Sequence, residues 1–580
     1  MSNIYSSGDI YVQPTGFGAW IRSPGVRETI ESVLIAVLLA LLFRFFEAEA
    51  YVIPTGSMAP DLQGRHIDVV CNECGYNILA GASKEQGRQV NRVVCPICQH
   101  PQTLRPGDRD NRPFSGDRIL VSKFAYDFDA PDRWDVIVFK YPNNGKQNFI
   151  KRLIGLPDEG VLIEKGDIYA FDQPTQTFQD REICRKPPQK QKAMLQIVDD
   201  TDHIAKALLQ AGWPSRWQQW NGQATDGDWK ISEDLNRFSL NNPTDKTRWL
   251  RYRHLRPQKA DWQSALGLNP PELPKRMQGE VPAGQLITDY YAYNDTPVNE
   301  AGDFSSYVGL HWVGDLAVEA DVEVKSESGD LALELVEGGI KYRCTIDVSN
   351  GTTTFSWKNP FDEDSVVLQG TTSFQSPIKR PGKYDILFAN TDNKLTLWVN
   401  NRFVGDCEYR RTGDVVPRWS KQDAGDAEPV GIGGRAIHLE VSRLQVMRDI
   451  YYTSKNLTRQ TAIGEDNPSF EYDGFDGRNP RVISAIKRLF QQPWEWSGAA
   501  AERLFTSRNR DESFVFPLAE NQYLPMGDNS PQSNDARTWD GARYIDGSYL
   551  LGEALFIYWP HAKTKPLPFW PNFERMKFIQ

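Results

Sequence analysis

Hydrophobic and polar residues follow three patterns along the 580-residue chain. Residues 32–43 form an uncharged and almost wholly apolar run, which predicts a helix in a lipid environment. Residues 115–157 hold three short β-branched runs, bounded by Gly, Asp or Pro, that predict successive strands of a small sheet. In residues 316–324 and 331–335, apolar and polar side chains alternate, as in the half-buried strands of an antiparallel sandwich. The patterns therefore predict a mainly β protein with one N-terminal helix.

The apolar run is shorter than the roughly 20 residues that cross a bilayer. Arg27 and Arg44 flank it, and their long side chains can reach the lipid headgroups. We therefore predict a transmembrane helix over residues 29–48, a cytoplasmic tail over 1–28 and an outward-facing remainder. The alternative is a cleavable signal peptide, because residues 48–50 have the A-x-A form; Arg44 interrupts the region before that tripeptide and disfavours cleavage.

Composition narrows the classes of function. The formal net charge of −10 argues against nucleic acid as a partner. The length allows several domains, and the hydrophobic content of 40% suits folded cores. Seven cysteines are an odd number, so they cannot all pair within one chain.

Four of the cysteines form two C-x-x-C pairs, Cys71 with Cys74 and Cys95 with Cys98. This spacing brings four thiolates to the corners of a tetrahedron, as a structural Zn²⁺ requires, so we predict a zinc-ribbon-like insertion over residues 67–104. Two disulfides are the alternative, because an outward-facing domain meets oxidising chemistry. His100 follows the second pair and is not expected to bind the metal.

One serine stands in a stretch whose backbone is unusually constrained. Ser57 lies between Gly56 and Met58, with Pro54 and Pro60 on either side. Glycine permits close backbone approach and each proline fixes its own φ, so the stretch can hold a hydroxyl at a turn beside a backbone N–H. A nucleophilic serine needs this geometry, although many ordinary turns share the same composition.

Three lysines lie on the predicted strands that follow, namely Lys123, Lys140 and Lys151. A lysine acts as a general base only when desolvation lowers its pKa toward neutrality. Strand alternation places Lys151 on the apolar face of Phe149 and Leu153, but periodicity alone does not choose among the three lysines. Farther along, residues 523–537 form a loop dense in Asp, Asn and Ser, which is typical of a solvated turn when taken alone.

Together these segments resemble the bacterial type I signal (leader) peptidases, which are membrane-anchored serine proteases with a Ser/Lys dyad. The resemblance covers about residues 25–170 and 515–560, which is well under half of the chain. It rests on the predicted anchor and five ordered motifs: Pro54–Met58, Gly116-Asp117, Asp135–Lys140, Ile150–Pro157, and Gly527–Asn529 with Ser533, Asp535 and Arg537.

The resemblance implies a role for each matched residue. Ser57 aligns with the nucleophile and Lys151 with the general base. Thr55 and the Ser57 N–H align with the oxyanion-hole donors, and Ser533 with the residue that orients the lysine. The residues that would support the site are Asp528, Asp535 and Arg537. The resemblance also implies catalysis without a cofactor, preprotein signal peptides as substrates, and a location on the outer (periplasmic) side of the bacterial cytoplasmic membrane.

The sequence departs from the family pattern at three places. Residues 157–160 read Pro-Asp-Glu-Gly in place of Pro-Gly-Asp, Ser530 stands where an arginine is common, and Ala536 replaces a serine. These positions belong to the supporting residues, so they bear on rate more than on reaction type. The paired-cysteine segment is not part of the ordinary family core.

A large insertion separates the two matched parts. The sequence predicts a first peptidase part over 50–170, a connecting segment over 171–211 and a β-sandwich over 212–453. A partly helical return segment over 454–514 and a second peptidase part over 515–580 complete the prediction. Within the sandwich, residues 394–404 and 430–434 resemble concanavalin-like jelly rolls.

The sandwich raises two further questions. Trp312 and Trp357 suit either its core, which is the favoured interpretation, or a surface that binds a glycan or a protein partner. Cys344 and Cys407 lack local partners, which leaves a bridge between them open.

The prediction is thus a membrane-anchored endopeptidase whose β core is split by the insertion. The rival hypothesis is a catalytically degenerate anchor that presents the sandwich to a glycan or protein.

Overall fold

A computed structural model of the chain describes most of its residues. They are residues 28–38, 48–83, 90–105, 111–172, 180–219, 229–267, 283–294, 309–358, 372–411, 414–454, 480–506, 515–539, 541–561 and 571–580.

The N-terminal part of the described chain is helical over residues 28–38, here named α1, and its side chains are exposed. Residues 39–47 of the predicted transmembrane segment lie outside the described residues. Among the described residues, no helix combines the length and the apolarity needed to cross a bilayer.

A seven-stranded antiparallel sheet, the core sheet, joins the two ends of the sequence. The three predicted β-branched runs form three of its strands, and the apolar side chains of the second and third runs are buried on both faces of the sheet. Its strands, in spatial order, are β1 (Ala48–Val52), β6 (Arg118–Ser122), β30 (Leu550–Trp559), β7 (Val136–Tyr141), β8 (Asn144–Gly155), β28 (Gln522–Met526) and β29 (Ile545–Asp546).

Two smaller units attach to the core sheet. One is a four-stranded sheet of β11 (Glu182–Ile183), β10 (Asp167–Asp172), β9 (Glu159–Glu164) and β27 (Val515–Pro517). The other, the ribbon, consists of two hairpins, and each hairpin holds one cysteine pair in its turn. The strands are β2 (His66–Val70) and β3 (Asn77–Gly81), then β4 (Arg92–Val94) and β5 (Pro101–Thr103).

The insertion folds mainly as two sheets packed face to face around one large apolar core. The first sheet has the order β14 (Lys230–Ile231), β15 (Arg237–Asn242), β26 (Ile437–Arg448), β17 (Leu316–Val324), β22 (Gly382–Thr391), β23 (Lys394–Val399) and β24 (Arg402–Glu408), with β12 (Gln196–Asp200) also paired to β26. The second has the order β13 (Trp217–Gln218), β16 (Arg248–Tyr252), β25 (Val430–Arg435), β18 (Asp330–Glu337), β19 (Ile340–Asp347), β20 (Thr352–Lys358) and β21 (Thr372–Gln375).

The structure confirms that the protein is mainly β and contains several sheets. Strand β17 covers the residues whose alternation predicts it, with Val318 and Val322 inside and Glu323 outside. Trp357 packs against the sandwich core, and Trp312 packs against Phe505 in a neighbouring apolar cluster.

The short helices lie mainly in the connecting and return segments. They are α2 (Ala125–Phe128), α3 (Pro188–Met194), α4 (Lys206–Gln210), α5 (Lys259–Ala265), α6 (Pro480–Phe490) and α7 (Ala499–Thr506). Helices α6 and α7 bury Ile486, Leu489 and Leu504 in one cluster, whereas residues 455–479 and 507–514 of the predicted return segment lie outside the described chain.

Candidate active site and metal centre

Strand β1 leads directly into the turn that carries Ser57 (Gly56–Met58). We call it the nucleophile turn, after the role that the family resemblance implies for Ser57. Met58 at the end of this turn is fully buried and packs with Leu62 and Ile119 in the apolar layer beneath the core sheet. Ile53 before the turn donates its N–H to the Asp117 carbonyl at 2.9 Å. The turn is therefore fixed at both ends, and Ser57 itself is only 7% exposed.

The Lys151 side chain reaches the nucleophile turn from strand β8. Its Nζ donates to Ser57 Oγ at 2.6 Å and to the Ile150 carbonyl at 3.1 Å. Lys151 is 4% exposed, and its amine lies 5.4 Å from the centre of the Phe149 ring. Lys123 and Lys140, the other two candidates, are exposed. Burial therefore separates Lys151 from the other lysines where periodicity could not.

Two motif glycines are required by close backbone approach. A Cβ at Gly116 would lie 1.9 Å from the Ile53 carbonyl oxygen. A Cβ at Gly527 would lie 2.4 Å from the Ser57 carbonyl oxygen and 2.2 Å from Ser533 Oγ. Any side chain at either position would push the nucleophile turn away from its supports.

The 527–537 loop wraps around the nucleophile turn rather than lying in solvent. Asn529 donates its backbone N–H to the Ser57 carbonyl at 3.0 Å and its side-chain Nδ2 to the Gly56 carbonyl at 3.0 Å. Ser533 and Asp535 are fully buried. The interpretation of this segment as a solvated loop is thus wrong, because most of its polar residues are buried.

Asp535 and Arg537 form a buried ion pair within this loop. The guanidinium donates Nε to Oδ1 at 2.8 Å and Nη2 to Oδ2 at 2.7 Å, and the Gly527 N–H also donates to Oδ2 at 3.0 Å. Burial raises the pKa of Asp535, but the Arg537 charge and the hydrogen bonds from Arg537, Gly527 and Ser533 outweigh it and hold the pKa below its usual value. The carboxylate therefore stays ionised and holds the loop in one conformation.

Three residues that depart from the family pattern are buried and contact other parts of the chain. Ser530 Oγ accepts from Arg537 Nη1 at 2.8 Å and from the Thr453 N–H at 2.9 Å, so the smaller side chain accommodates the end of the insertion. Glu159 accepts two hydrogen bonds from Arg133, at 2.8 and 2.6 Å. Ala536 is fully buried. Ser530 and Glu159 are therefore matched by partners that a motif comparison does not show.

Arg152, next to Lys151 in sequence, is a support that the sequence analysis did not identify. Its guanidinium donates Nε and Nη2 to the two Asp528 carboxylate oxygens, both at 2.8 Å, and Nη1 to the Trp134 carbonyl at 2.7 Å. The side chains of both partners are fully buried. Tyr452 adds a hydrogen bond to Asp528 at 3.2 Å. Strand β8 is thus tied to the 527–537 loop on the face opposite Lys151.

We expect Arg152→Met to lower the free energy of unfolding by about 3–5 kcal/mol, because it leaves the Asp528 carboxylate buried without its counter-ion. Arg152→Met combined with Asp528→Leu should recover much of this loss, since neither charge then remains. Urea unfolding of the variants measures both values.

The matched control is Arg435→Met, which removes the half-exposed partner of Asp330. This change should alter the free energy of unfolding by less than about 1 kcal/mol. An Arg152→Met chain as stable as the Arg435→Met chain would show that the buried pair is not a stabilising support.

The insertion contributes two residues to the surroundings of Ser57. Asn294 Nδ2 donates to Asn529 Oδ1 at 2.6 Å, and Asn529 Nδ2 donates back to Asn294 Oδ1 at 2.8 Å. A Cβ on Gly56 would lie 2.4 Å from the Tyr293 ring, so this ring packs directly on the nucleophile turn. Both residues are buried. Sequence reasoning missed them because 235 residues separate Asn294 from Asn529.

The four paired cysteines converge in the ribbon. Their sulfur atoms all lie within 4.8 Å of one another, with Cys71 and Cys98 at 3.6 Å and Cys74 and Cys95 at 3.5 Å. Four thiolates around a zinc ion at about 2.3 Å would be about 3.8 Å apart, so the residues present fit a tetrahedral zinc site. These separations are far longer than a disulfide bond.

The backbone forms the same turn at both cysteine pairs. In each pair the residue after the second cysteine has a positive φ and donates its N–H to the carbonyl of the first, as Gly75 does to Cys71 and Gln99 to Cys95, both at 3.0 Å. His100 lies outside the sulfur cluster, against Trp262. All seven cysteines are free thiols, so the bridge between Cys344 and Cys407 that the sequence left open is not formed.

Three carboxylates meet where the four-stranded sheet contacts the sandwich. Oxygens of Asp167, Asp315 and Asp392 lie within 4.8 Å of one another. The buried Lys186 ammonium donates to Asp392 at 2.9 Å and to Asp449 at 2.7 Å. Burial, followed by the charge of Asp392, raises the pKa of Asp167 to about 8. The cluster is therefore an ionic junction between the two units.

Comparisons with known proteins place part of the chain in a family context. Residues 98–211 match the family described as signal peptidase, peptidase S26. The chain is 28% identical over 181 residues to the probable signal peptidase I-1 of Synechocystis, covering 30% of this chain and 64% of the relative. It is 29% identical over 186 residues to a signal peptidase I of Leptolyngbya laminosa, and this match covers 31% of this chain and 64% of the relative. The chain thus spans somewhat less than two thirds of the length of these relatives.

Solved structures resemble part of the chain only loosely. A galectin of Caenorhabditis elegans matches 23% of this chain and 83% of its own, with 10% identity and a TM-score of 0.18. The match to the carbohydrate-binding module CBM66 of Bacillus subtilis covers 40% of this chain and 93% of the module, with 11% identity and a TM-score of 0.19. These scores are too low to support an assignment of the sandwich. The peptidase S26 match and the relatives, in contrast, support the similarity to type I signal peptidases that the motifs predicted.

Proposed function

We propose that this chain is a membrane-anchored serine endopeptidase that removes signal peptides from exported preproteins. Ser57 is its nucleophile and Lys151 its general base. The observation that carries the proposal is the 2.6 Å hydrogen bond between the Lys151 amine and the Ser57 hydroxyl, two groups that are both almost fully buried. A serine hydroxyl is a weak nucleophile until a neighbouring base accepts its proton, and no other titratable side chain is needed for that step.

The reaction follows from this pair. The neutral amine takes the proton from Ser57 Oγ while the oxygen attacks the scissile carbonyl carbon. The Thr55 hydroxyl and the Ser57 N–H stabilise the oxyanion of the tetrahedral intermediate. The Lys151 ammonium then returns its proton to the leaving amine, and a water molecule activated by the same lysine releases the acyl group. Removing an ammonium from water disfavours its charged form, so the buried position favours the neutral base.

The supporting residues keep the pair in register. Asn529 holds the carbonyls of Gly56 and Ser57, and the buried Ser533 lies against Gly527, where we propose that it orients Lys151. Asp528, Asp535 and Arg537 fix the loop that carries these groups. Such fixed geometry lowers the entropy that the transition state must lose.

The proposed substrate binds in an extended conformation. Strand β1 is an edge strand of the core sheet, and its C-terminal end runs directly into the nucleophile turn. An extended peptide can add to such an edge through main-chain hydrogen bonds, with small pockets that select Ala-type side chains before the cut.

The proposed location is the outer face of the bacterial cytoplasmic membrane, with residues 29–48 as the anchor. Exposed apolar side chains near the end of β1 support this location. Val52 and Trp559 flank Arg118 on neighbouring strands and are 52% and 37% exposed, and Phe578 is 70% exposed. An exposed apolar patch of this kind suits contact with lipid.

We further propose that Cys71, Cys74, Cys95 and Cys98 hold a structural Zn²⁺. The ion would cross-link the two cysteine pairs and has no part in catalysis. The ribbon is positioned by the sandwich through hydrogen bonds from Trp262 to the Cys98 carbonyl at 3.1 Å and from Arg216 to the Ile97 carbonyl at 2.9 Å.

Cleavage of a preprotein by the full chain reconstituted in lipid vesicles tests the proposed activity. Mass spectrometry of the products should show a single cut after a small residue at the end of the signal peptide. A chain that leaves the preprotein intact, or that cuts the mature part at many sites, would contradict the proposal.

We expect Asn294→Ala to lower kcat about tenfold and to leave KM nearly unchanged. The change removes both hydrogen bonds between Asn294 and Asn529, and so loosens the residue that holds the nucleophile turn. A single hydrogen bond of this kind is worth about 1 kcal/mol. Steady-state kinetics on a signal-peptide substrate measure the effect.

The control is Asn241→Ala on the exposed side of β15. Its kinetic constants should match those of the unmodified chain. An Asn294→Ala chain with an unchanged kcat would show that the insertion does not position the nucleophile turn.

A further inference from the structure

A cavity of about 250 Å³ lies between the ribbon, the sandwich and the nucleophile turn. One wall includes Pro60, three residues after Ser57, and Tyr293, whose ring packs on Gly56. A neighbouring cavity of about 320 Å³ shares Arg256 and Tyr290 with the first. The described side chains that line the two cavities include four cations and no carboxylate; the cations are Arg256, Arg448, Lys259 and Lys487.

Arg448, at the end of β26, is 3% exposed. Its guanidinium donates only to carbonyl oxygens among the described residues, those of Asp449 at 2.8 Å and Tyr290 at 3.2 Å. The nearby carboxylates are bound to other cations, Asp289 to His311 and Asp449 to Lys186. A buried guanidinium without a counter-ion is costly, because desolvation is not offset by an ion pair. Burial accordingly lowers the pKa of Arg448 to about 10.

Arg256, which also lines the cavity, likewise has no carboxylate partner among the described residues. Its guanidinium stacks on the Tyr290 ring at 3.8 Å, and its Nε donates to Gln99 Oε1 at 2.9 Å. Stacking fixes the plane of the group, and the remaining donors point along its edge. Arg448 donates to the Tyr290 carbonyl, so the two cations meet at the same residue.

The surroundings of the two arginines carry a positive potential. Burial and the charges of Arg216 and Arg256 hold the pKa of His254, which lines both cavities, well below its usual value. The histidine is therefore neutral, and the positive charge of the cavity lining comes from its arginines and lysines. A pocket lined by cations, tyrosines and a neutral histidine suits a ligand with negatively charged oxygens.

We infer that this cavity binds an oxyanion, a carboxylate or a phosphate group, between the guanidinium groups of Arg256 and Arg448. Planar guanidinium groups hold such oxygens through paired, charge-assisted hydrogen bonds. Two sources supply this chemistry. One is a free oxyanion in solution, and the other is an acidic side chain of a polypeptide that passes the nucleophile turn, which is in contact with the cavity wall at Tyr293.

Binding measurements on the full Ser57→Ala chain in detergent micelles test the inference without turnover, so the result is independent of the proposed peptidase activity. In the first arm, inorganic phosphate is titrated at constant ionic strength against chloride while the thermal midpoint is followed. In the second arm, fluorescence anisotropy compares a short alanine-rich peptide containing Asp with its Asn counterpart.

We expect at least one probe to bind, and Arg256→Met to weaken that binding about tenfold or more. Arg448→Lys, which keeps the charge but loses the paired donors, should weaken it less. The exposed Arg402→Met is the matched control and should bind as the parent chain does.

Binding of phosphate identifies a free oxyanion as the source, and a preference for the Asp peptide identifies the side chain. Each result supports the inference if Arg256→Met weakens the binding about tenfold or more. Binding of neither probe, or equal binding by Arg256→Met, would overturn it. Arg256 is only half-buried, so the test does not depend on whether Arg448 variants fold.

Discussion

Replacing Ser57 with Ala, or Lys151 with Met, is expected to reduce preprotein cleavage by about 10⁴-fold or more. The two losses should not add in the double variant, because the hydroxyl and the amine act in the same proton transfer. The two groups are buried and lie 2.6 Å apart. A water molecule therefore cannot take the place of either group unless the surrounding chain moves. Cleavage of a radiolabelled preprotein in vesicles measures the rates.

Lys140→Met provides the matched control for this prediction. Lys140 lies on β7, beside the strand that carries Lys151, but it is exposed. Its replacement should leave the rate of cleavage within about twofold of the unmodified chain. Ser57→Ala or Lys151→Met chains that remain fully active would end the proposed mechanism, and inactivity of the unmodified chain would favour the scaffold hypothesis.

Loss of the proposed zinc ion from the ribbon is expected to have the largest effect on stability. Structural zinc sites contribute about 10–16 kcal/mol of apparent binding free energy to their folded units. We expect Cys95→Ser to remove bound zinc, to unfold the ribbon and to slow cleavage as well. The slower cleavage follows from Gly81 of β3, which packs against Tyr293 and thereby against the nucleophile turn. Metal analysis, limited proteolysis of the ribbon and the cleavage assay report the three effects.

Cys407→Ser is the control for the metal prediction. Cys407 is a half-buried free thiol on β24 in the sandwich, outside the sulfur cluster. This variant should keep one zinc per chain and the proteolytic resistance of the ribbon. A purified chain without zinc, or with disulfides at the paired cysteines, would show that the ribbon is stabilised in another way.

Local sequence signals predicted the parts of the structure that depend on near neighbours. The cysteine pairs converge because two short turns present their thiolates, and this needs only the C-x-x-C spacing. Strand β17 follows the alternation of residues 316–324 because one face meets the sandwich core. The proximity of Ser57 to Lys151 was suggested by the order of the motifs, since no periodicity relates residues that are 94 positions apart.

Other parts depend on tertiary contacts that leave no local pattern. Arg152 and Asp528 are 376 positions apart, and a charged residue in a strand is usually solvated, so nothing in the sequence marks them as a buried pair. Asn294 is one polar residue among many in the insertion. Arg448 is the last residue of an alternating strand, where an arginine is expected to be exposed at the surface. The sequence pattern thus could not show that the insertion forms part of the surroundings of Ser57.

The hydrogen bond from Asn529 to the Gly56 carbonyl joins residues 473 positions apart in the chain. A ribosome makes the nucleophile turn early and the loop that holds it late, after the whole insertion. In the newly made N-terminal portion, the turn that carries Ser57 therefore lacks the contacts that Asn529 provides. Under the proposed function, this order of synthesis delays proteolysis until translation has passed the 527–537 loop, and a removable propeptide is not needed for that delay.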